Sequence, residues 1–258
     1  MTELKSPDTL EATNSFPFGK GRDGAMYQYQ MTATDAPFEK VEIDFPELNE
    51  GEVLVQVAGC GVCHTDLSFW HYGVQTKHAL PLTLGHEISG IVVKGDAAWL
   101  NKKVIIPAVL PCGECELCKK GRSNICRNQL MPGNDFHGGF ASHIKVPSKF
   151  LCEVSDVVLK KYPLEQLAVI ADAISTPYQV VKKSEIENGD LAIVIGVGGV
   201  GIYGALIAKI FGAKVIALDI SDEKLATAKE NGVDATVNIK GLDAKTIKEK
   251  IKDIAKER

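Results

Sequence analysis

Short apolar runs alternate with glycine, proline and asparagine through the first half of the chain. Between residue 26 and about residue 150, three of these runs, residues 53–57, 88–93 and 104–106, have the length and composition of strands. Short apolar segments that are bounded by turn residues favour strands over helices. This region is therefore expected to form an all-β unit.

The pattern changes after about residue 160, where apolar strands begin to alternate with helices. A buried strand is predicted at residues 191–195, followed by a glycine loop and an apolar helix that runs through residue 211. Two more strands are predicted at 214–218 and 235–239, each followed by a helix, at 223–231 and 245–256. Alternation at this interval predicts a parallel α/β sheet. Three strand–helix units are only half of a dinucleotide-binding sheet, so the chain is expected to be a fragment.

Composition excludes several classes of protein. The 258 residues are 45% hydrophobic and 24% charged, as in a soluble globular protein. The net charge of -4 argues against nucleic acid as a partner, and no run approaches the roughly 20 apolar residues of a membrane span. Residues 1–24 lack the apolar segment of a signal peptide. Seven cysteines without an export signal favour metal ligands in a reducing cytoplasm.

Four of the cysteines follow the spacing C-x2-C-x2-C-x7-C. Cys112, Cys115, Cys118 and Cys126 lie close together in a segment that is rich in turn residues. Four thiolates complete the tetrahedral shell of a structural Zn²⁺ and leave no position for a substrate. The alternative is four unrelated buried cysteines. Cys60 and Cys152 fall outside this pattern and are expected to be packing residues.

A glycine motif, G-x-G-x-x-G, follows the predicted strand at 191–195. Its glycines, Gly196, Gly198 and Gly201, would form the tight turn, let backbone amides approach a pyrophosphate and allow close packing of strand and helix. Asp219 ends the next strand, where it would accept hydrogen bonds from the ribose hydroxyls of NAD and repel a 2′-phosphate. The alternative is a glycine-rich turn in another α/β fold.

A second group of possible metal ligands is divided between two loops. Cys63-His64-Thr65-Asp66 and Gly85-His86-Glu87 bring a thiol and imidazoles into the β-rich region. A thiolate and an imidazole can share one ion, and a site with three protein ligands keeps a fourth position open for an alcohol or water.

In this order, the motifs resemble those of the zinc-containing medium-chain alcohol dehydrogenases, over essentially the whole chain after residue 25. The resemblance implies an α/β protein with a GroES-like, β-rich catalytic domain at residues 26–172, which carries the structural zinc lobe. A Rossmann domain that binds NAD follows at 173–258, of which only the first half is present. Residues 1–25 are expected to form an N-terminal arm.

The same resemblance implies roles for individual residues. Cys63 and His86 would bind the catalytic zinc, and Asp172 would be the third ligand where other members carry a cysteine or an aspartate. Thr65 and His64 would relay the substrate proton. The remaining implied roles are Asp66, which would orient His86, Glu87 near the metal, and Lys224 in the NAD site. The implied cofactors are two Zn²⁺ per subunit and NAD.

A narrower resemblance points to one branch of the family. Residues 81–90, 104–113, 131–134 and 171–178 are similar to those of 6-hydroxycyclohex-1-ene-1-carbonyl-CoA dehydrogenases of anaerobic benzoyl-CoA degradation, a route of aromatic hydrocarbon catabolism. This implies oxidation of a ring hydroxyl to the 6-oxo compound, a CoA thioester as substrate and a homo-oligomer, dimeric or tetrameric. Two alternatives stay open: a general zinc alcohol or polyol dehydrogenase that acts on a free alcohol, and a zinc-binding scaffold without activity.

Overall fold

The structure, a computed structural model, describes residues 25–256, so almost all of the expected N-terminal arm lies outside the described residues. The chain divides into two compact units, the first ending at Ala168 and the second beginning at Val169. The sequence placed this boundary after residue 172. Each unit is described by itself below.

The first unit is built mainly from antiparallel strands. The strands are β1 Met26–Gln30, β2 Glu39–Ile43, β3 Glu52–Gly61, β4 Glu87–Gly95, β5 Lys103–Ile106, β6 His143–Pro147 and β7 Cys152–Glu153. The helices are α1 His64–Trp70, α2 Glu116–Lys119 and α3 Asp156–Leu159, with 3₁₀ turns at Ser123–Ile125 and Ser148–Phe150; a further 3₁₀ turn, Leu164–Ala171, crosses the boundary between the units. β1 and β2 pair with each other, and the other five strands form one sheet in the order β6-β3-β4-β5-β7.

The three strands predicted for this unit are confirmed as β3, β4 and β5. Alternate residues of β3, among them Val53, Val55 and Val57, pack on Ile88 of β4 and Ile106 of β5 in one buried core. The expectation of an all-β unit is wrong, because α1 follows β3 directly. The turn residues on both sides of this short helix conceal it in the sequence pattern.

The second unit alternates helices and strands, as predicted. Its elements are α4 Ser175–Lys183, β8 Leu191–Ile195, α5 Gly199–Ile210, β9 Lys214–Asp219, α6 Asp222–Glu230, β10 Ala235–Asn238 and α7 Ala244–Lys256. The three strands are parallel, in the order β10-β9-β8. The prediction of a parallel α/β sheet is confirmed, whereas α4 was not predicted.

The two faces of this sheet are covered differently. On one face, Ala192 and Val194 of β8 pack in a core with residues of α4 and α5. On the other face, a second core joins residues of β9 and β10 to α7: Ile216, Leu218 and Val237 with Ile247, Ile251 and Ile254. The strand expected at residues 191–195 is present as β8, but the expectation that it is buried is wrong. The core with α7 reaches only β9 and β10, so the edge strand β8 leaves Leu191, Ile193 and Ile195 exposed, at 42%, 45% and 75%.

No helix in the described part of the chain combines the length and the apolar character that crossing a membrane requires.

Candidate metal and cofactor sites

The four cysteines of the spacing motif converge in one lobe of the first unit. Their sulfurs all lie within 4.8 Å of one another. The closest pairs are Cys115–Cys118 and Cys112–Cys126 at 3.5 Å, Cys115–Cys126 at 3.7 Å and Cys112–Cys118 at 4.0 Å. Sulfurs arranged tetrahedrally at 2.3 Å from one zinc ion are about 3.8 Å apart. The lobe therefore has the dimensions of a closed four-thiolate site.

Backbone amides are aimed at some of these sulfurs. The N–H of Cys115 donates to Cys112 Sγ at 3.4 Å, and the N–H of Cys112 donates to Cys126 Sγ at 3.5 Å. Backbone N–H groups, first that of Glu114, lower the pKa of Cys112 to about 6, whereas loss of hydration raises the pKa of Cys118 to about 12. A bound cation favours the deprotonated form of all four ligands.

One carboxylate contacts both of the loops that are predicted to carry metal ligands in the first unit. Asp66 lies in the first turn of α1 and is 3% exposed. Its Oδ2 accepts the backbone N–H of Cys63 at 2.9 Å, and its Oδ1 accepts that of Gly85 at 3.1 Å. The same Oδ1 lies 3.5 Å from His86 Nδ1. Asp66 therefore fixes Cys63 and orients the His86 ring, as a carboxylate beside a metal-binding histidine does.

This arrangement brings Cys63 and His86 together. Cys63 caps the N-terminus of α1, and its Sγ lies within 4.8 Å of a ring nitrogen of His86. His86 is 1% exposed. Gly85 reaches the required turn with a φ of +94°, and a Cβ there would come within 2.7 Å of Cys60 Sγ. Only glycine fits at this position, directly before His86.

The residues predicted for proton transfer and for the surroundings of the metal follow Cys63 and His86 directly in the sequence. Thr65 Oγ1 lies 3.7 Å from Cys63 Sγ, and His64 is exposed at the start of α1. Glu87 begins β4 and is buried, in close contact with Gly61, where a Cβ would lie 2.1 Å from Glu87 Oε2.

The two cysteines outside the ligand patterns differ from each other. Cys60 packs against the core of the first unit, as expected, and burial foremost, with the nearby charges of Asp66 and Glu87, raises the pKa of its thiol well above the ordinary value. Cys152 is exposed, so the expectation of a packing role is wrong for it. The two-residue strand β7 is too short to bury both of its faces.

Asp172 belongs to the second unit and follows the 3₁₀ turn Leu164–Ala171. It is half-buried, and its Oδ1 accepts a hydrogen bond from the Thr176 hydroxyl at 2.5 Å. This bond spans one turn at the start of α4 and orients the carboxylate. The role of Asp172 as a third zinc ligand stays a prediction.

The glycine motif forms a tight turn between β8 and α5. Gly196 has a φ of +84°, and its N–H donates to Leu218 O at 2.7 Å. A Cβ at Gly201 would lie only 1.8 Å from Gly196 O, so this glycine allows the helix to approach the turn. Gly198 caps α5 and has open space around it. A turn of this shape at a helix N-terminus can receive a pyrophosphate.

Asp219 is held at the end of β9, beside this turn. Its Oδ2 accepts the N–H of Val197 at 2.8 Å, and its Oδ1 accepts that of Ser221 at 3.0 Å. The Val197 N–H is the largest of several causes that lower the pKa of Asp219, and the charge of Lys224 is the smallest. The carboxylate is therefore ionised and oriented.

Comparison with known protein families gives two matches that follow each other along the chain. Residues 49–156 match the alcohol dehydrogenase GroES-like domain, and residues 199–258 match the zinc-binding dehydrogenase model. The chain belongs to the zinc-dependent medium-chain alcohol dehydrogenase family. The expected fold class, a GroES-like domain followed by a Rossmann-like domain, is confirmed by these two matches.

Relatives and solved structures agree with this membership. An alcohol dehydrogenase of Geobacillus stearothermophilus is 39% identical over 202 residues, which are 76% of this chain and 58% of the relative. The structure of acetophenone reductase from Geotrichum candidum in complex with NAD is 28% identical, with a TM-score of 0.75 over 83% of this chain and 63% of the other. Galactitol-1-phosphate dehydrogenase from Escherichia coli is 29% identical, with a TM-score of 0.78 over 88% and 65%. The chain spans 58% to 64% of the length of its first two curated relatives.

Proposed function

We propose that this protein is a zinc- and NAD-dependent dehydrogenase that oxidises a secondary alcohol to a ketone. The observation that carries the proposal is the single carboxylate of Asp66, which fixes Cys63 and His86 with their ligand atoms within 4.8 Å of each other. A structural role alone does not require a thiol and an imidazole to converge in this way.

The residues present fit a catalytic zinc ion. A thiolate from Cys63 and an imidazole nitrogen from His86 are typical zinc ligands, and we assign Asp172 as the third. Asp66 favours a proton on His86 Nδ1, which leaves Nε2 for the metal. The four-cysteine lobe would hold a second, structural zinc ion. When bound, the catalytic zinc lowers the pKa of the substrate alcohol, and NAD accepts the hydride.

The first turn of α1 supplies the proposed path for the substrate proton. The Thr65 hydroxyl lies 3.7 Å from Cys63 Sγ, and it would accept the proton of an alcohol that is bound beside Cys63 while passing its own proton on. His64 is the preceding residue and is exposed, so it can exchange a proton with water. Glu87 would keep a buried negative charge near the metal.

The second unit would bind NAD through backbone amides of the glycine turn and through the carboxylate of Asp219. Gly196, Gly198 and Gly201 would receive the pyrophosphate at the N-terminus of α5. Asp219 would accept the hydroxyls of the adenosine ribose, with Lys224 at the start of the following helix as a further contact. An ionised Asp219 disfavours the 2′-phosphate of NADP.

Two classes of substrate are proposed, one supported by the similar solved structures and the other by the sequence. The reductase of acetophenone and the dehydrogenase of galactitol 1-phosphate support a general secondary alcohol or polyol. A narrower proposal, supported by the branch-like residues 81–90 and 171–178, is 6-hydroxycyclohex-1-ene-1-carbonyl-CoA. We further propose a cytoplasmic homo-oligomer.

The test is NADH formation with cyclohexanol, ethanol, a polyol, the CoA ester and its free acid. Cys63→Ser should abolish turnover, whereas Cys152→Ser, at an exposed cysteine outside the site, should not change it. A marked preference for the CoA ester over cyclohexanol would favour the narrower substrate, and equal efficiency would exclude it. Zinc uptake without NADH formation from any alcohol would favour the scaffold alternative.

A further inference from the structure

The loop that carries His86 lies against a second loop, residues 137–140, and the two are joined by backbone hydrogen bonds. These bonds run from Gly138 N to Thr83 O, from Gly139 N to Gly85 O and from Phe140 N to Leu84 O, at 2.7, 2.8 and 2.9 Å. The second loop therefore holds the three residues that precede His86.

The two loops are also joined by a hydrogen bond between a backbone group and a side chain. The backbone N–H of Thr83 donates to Nδ1 of His137 at 3.1 Å, across 54 residues of sequence. Thr83 is completely buried. A buried N–H needs an acceptor, since water cannot replace it, so His137 supplies an obligatory partner to the His86 loop.

The close approach of glycine backbones couples the two loops. A Cβ at Gly138 would lie 2.2 Å from Gly85 O and 2.7 Å from Leu84 O. No side chain separates Gly138 from Gly85, so the second loop packs directly on the backbone that leads to His86.

The bond exists in only one charge state of His137. Because Nδ1 accepts the Thr83 N–H, the proton of the neutral ring must be on Nε2. A protonated ring carries a hydrogen on both nitrogens and would direct Nδ1–H at the Thr83 N–H. Protonation of His137 therefore removes the bond and repels the loop.

The groups around His137 favour its neutral form. Burial, and next the charge of His78, lower the pKa of His137. The two rings lie 5.1 Å apart between centroids, and His78 Nδ1 is 2.6 Å from Ala79 O. Asp135, two residues before His137, is paired with Lys77 at 2.9 Å.

We propose that His137 is a positioning residue for the metal site: in its neutral form it accepts the Thr83 N–H and fixes the loop that presents His86. The inference rests on the proposed function, which makes His86 a zinc ligand. On acidification, release of the Thr83 bond would loosen His86 and accelerate the loss of the catalytic metal.

Two variants and one control separate positioning from simple packing. His137→Asn places an amide oxygen near the position of Nδ1 and cannot titrate, whereas His137→Phe fills the space without an acceptor. The control is His71→Asn, because His71 is exposed and its contacts, the ion pair with Asp35 at 2.6 Å and the rings of Trp70 and Tyr72, belong to neither loop.

The measurement is the rate of zinc release from the full chain to a chelator as a function of pH. The phase that disappears in Cys63→Ser belongs to the catalytic site. At mildly alkaline pH, His137→Phe should release this zinc about tenfold faster than the unmodified chain, the usual effect of a lost supporting contact. At the same pH, His137→Asn should release this zinc at the rate of the unmodified chain. At lower pH, zinc release from the unmodified chain should accelerate as His137 becomes protonated, and His137→Asn should lack this acceleration. Nitrogen NMR should find His137 protonated on Nε2 at neutral pH.

Several results would overturn the inference. His137→Asn could follow the same pH profile as the unmodified chain, or His137→Phe could release zinc at the normal rate. If His137→Phe does not fold, the Asn profile and the NMR tautomer still decide. A chain without the Cys63-dependent phase refutes the proposed function, whereas a proton on Nδ1 of His137 in zinc-loaded protein refutes this inference alone.

Discussion

Two glycines of α5, three positions apart, should respond in opposite directions to the same substitution. At Gly201 a new methyl group would lie 1.8 Å from Gly196 O and 2.8 Å from Gly196 C. These are backbone atoms of the tight turn, and they cannot move aside as the end of a flexible side chain can. At Gly204 the nearest atom is Pro177 Cβ at 3.5 Å, an ordinary van der Waals contact.

The expected magnitudes follow from these contacts. Alanine in place of glycine within a helix contributes up to about 1 kcal/mol to stability. Gly204→Ala should gain most of this amount. In Gly201→Ala the clash requires α5 to move away from the turn, and overpacking costs about 1–3 kcal/mol or more. Because the helix-propensity gain is common to both variants, they should differ by the overpacking cost, about 1–3 kcal/mol or more in free energy of unfolding.

The assay is unfolding in urea, monitored by the hydrogen exchange of the backbone amides of β8 and β9. Trp70 and Trp99, the two tryptophans of the chain, both lie in the first unit, so their fluorescence reports the unfolding of that unit separately. Gly201→Ala should also weaken NAD binding, because it displaces the amides that would receive the pyrophosphate. Equal stability of the two variants would refute the close packing of strand, turn and helix.

Three further predictions concern the metals, the cofactor and pH. Metal analysis should find two zinc ions per chain. Cys63→Ser should lose the catalytic zinc ion and keep its fold. Cys115→Ser should lose the structural zinc ion and unfold more readily, because a closed site contributes folding energy. Catalytic efficiency should be higher with NAD than with NADP, and equal values would mean that Asp219 does not face the ribose. The pKa of Asp219 is lowered, so its contribution to stability is complete above the ordinary value of 3.8 and is lost as the pH falls through the lower folded value. In Asp219→Asn, the free energy of unfolding should fall less steeply as the pH is lowered through the acid range. An unchanged slope would contradict the hydrogen bonds from Val197 and Ser221.

The sequence alone determined those elements whose periodicity is local. β8, β9 and β10 could be located because each is a short apolar run followed by a helical pattern, and this alternation is typical of a parallel α/β sheet. The cysteine lobe was also visible, since its four ligands lie within one short segment. The identity of Cys63 and His86 as candidate ligands came from motifs of a few residues each.

Tertiary structure decided what depends on contacts between distant residues. The bond from Thr83 to His137 and the convergence of Cys63 with His86 on Asp66 involve separate loops, and no local period encodes them. The helix α1 was hidden for a related reason: it is a short element whose N-terminus is held by Asp66 while the same carboxylate reaches the next loop. Local pattern specifies which segments are strands or helices, but the partner of a buried polar group is chosen only when the chain folds back on itself.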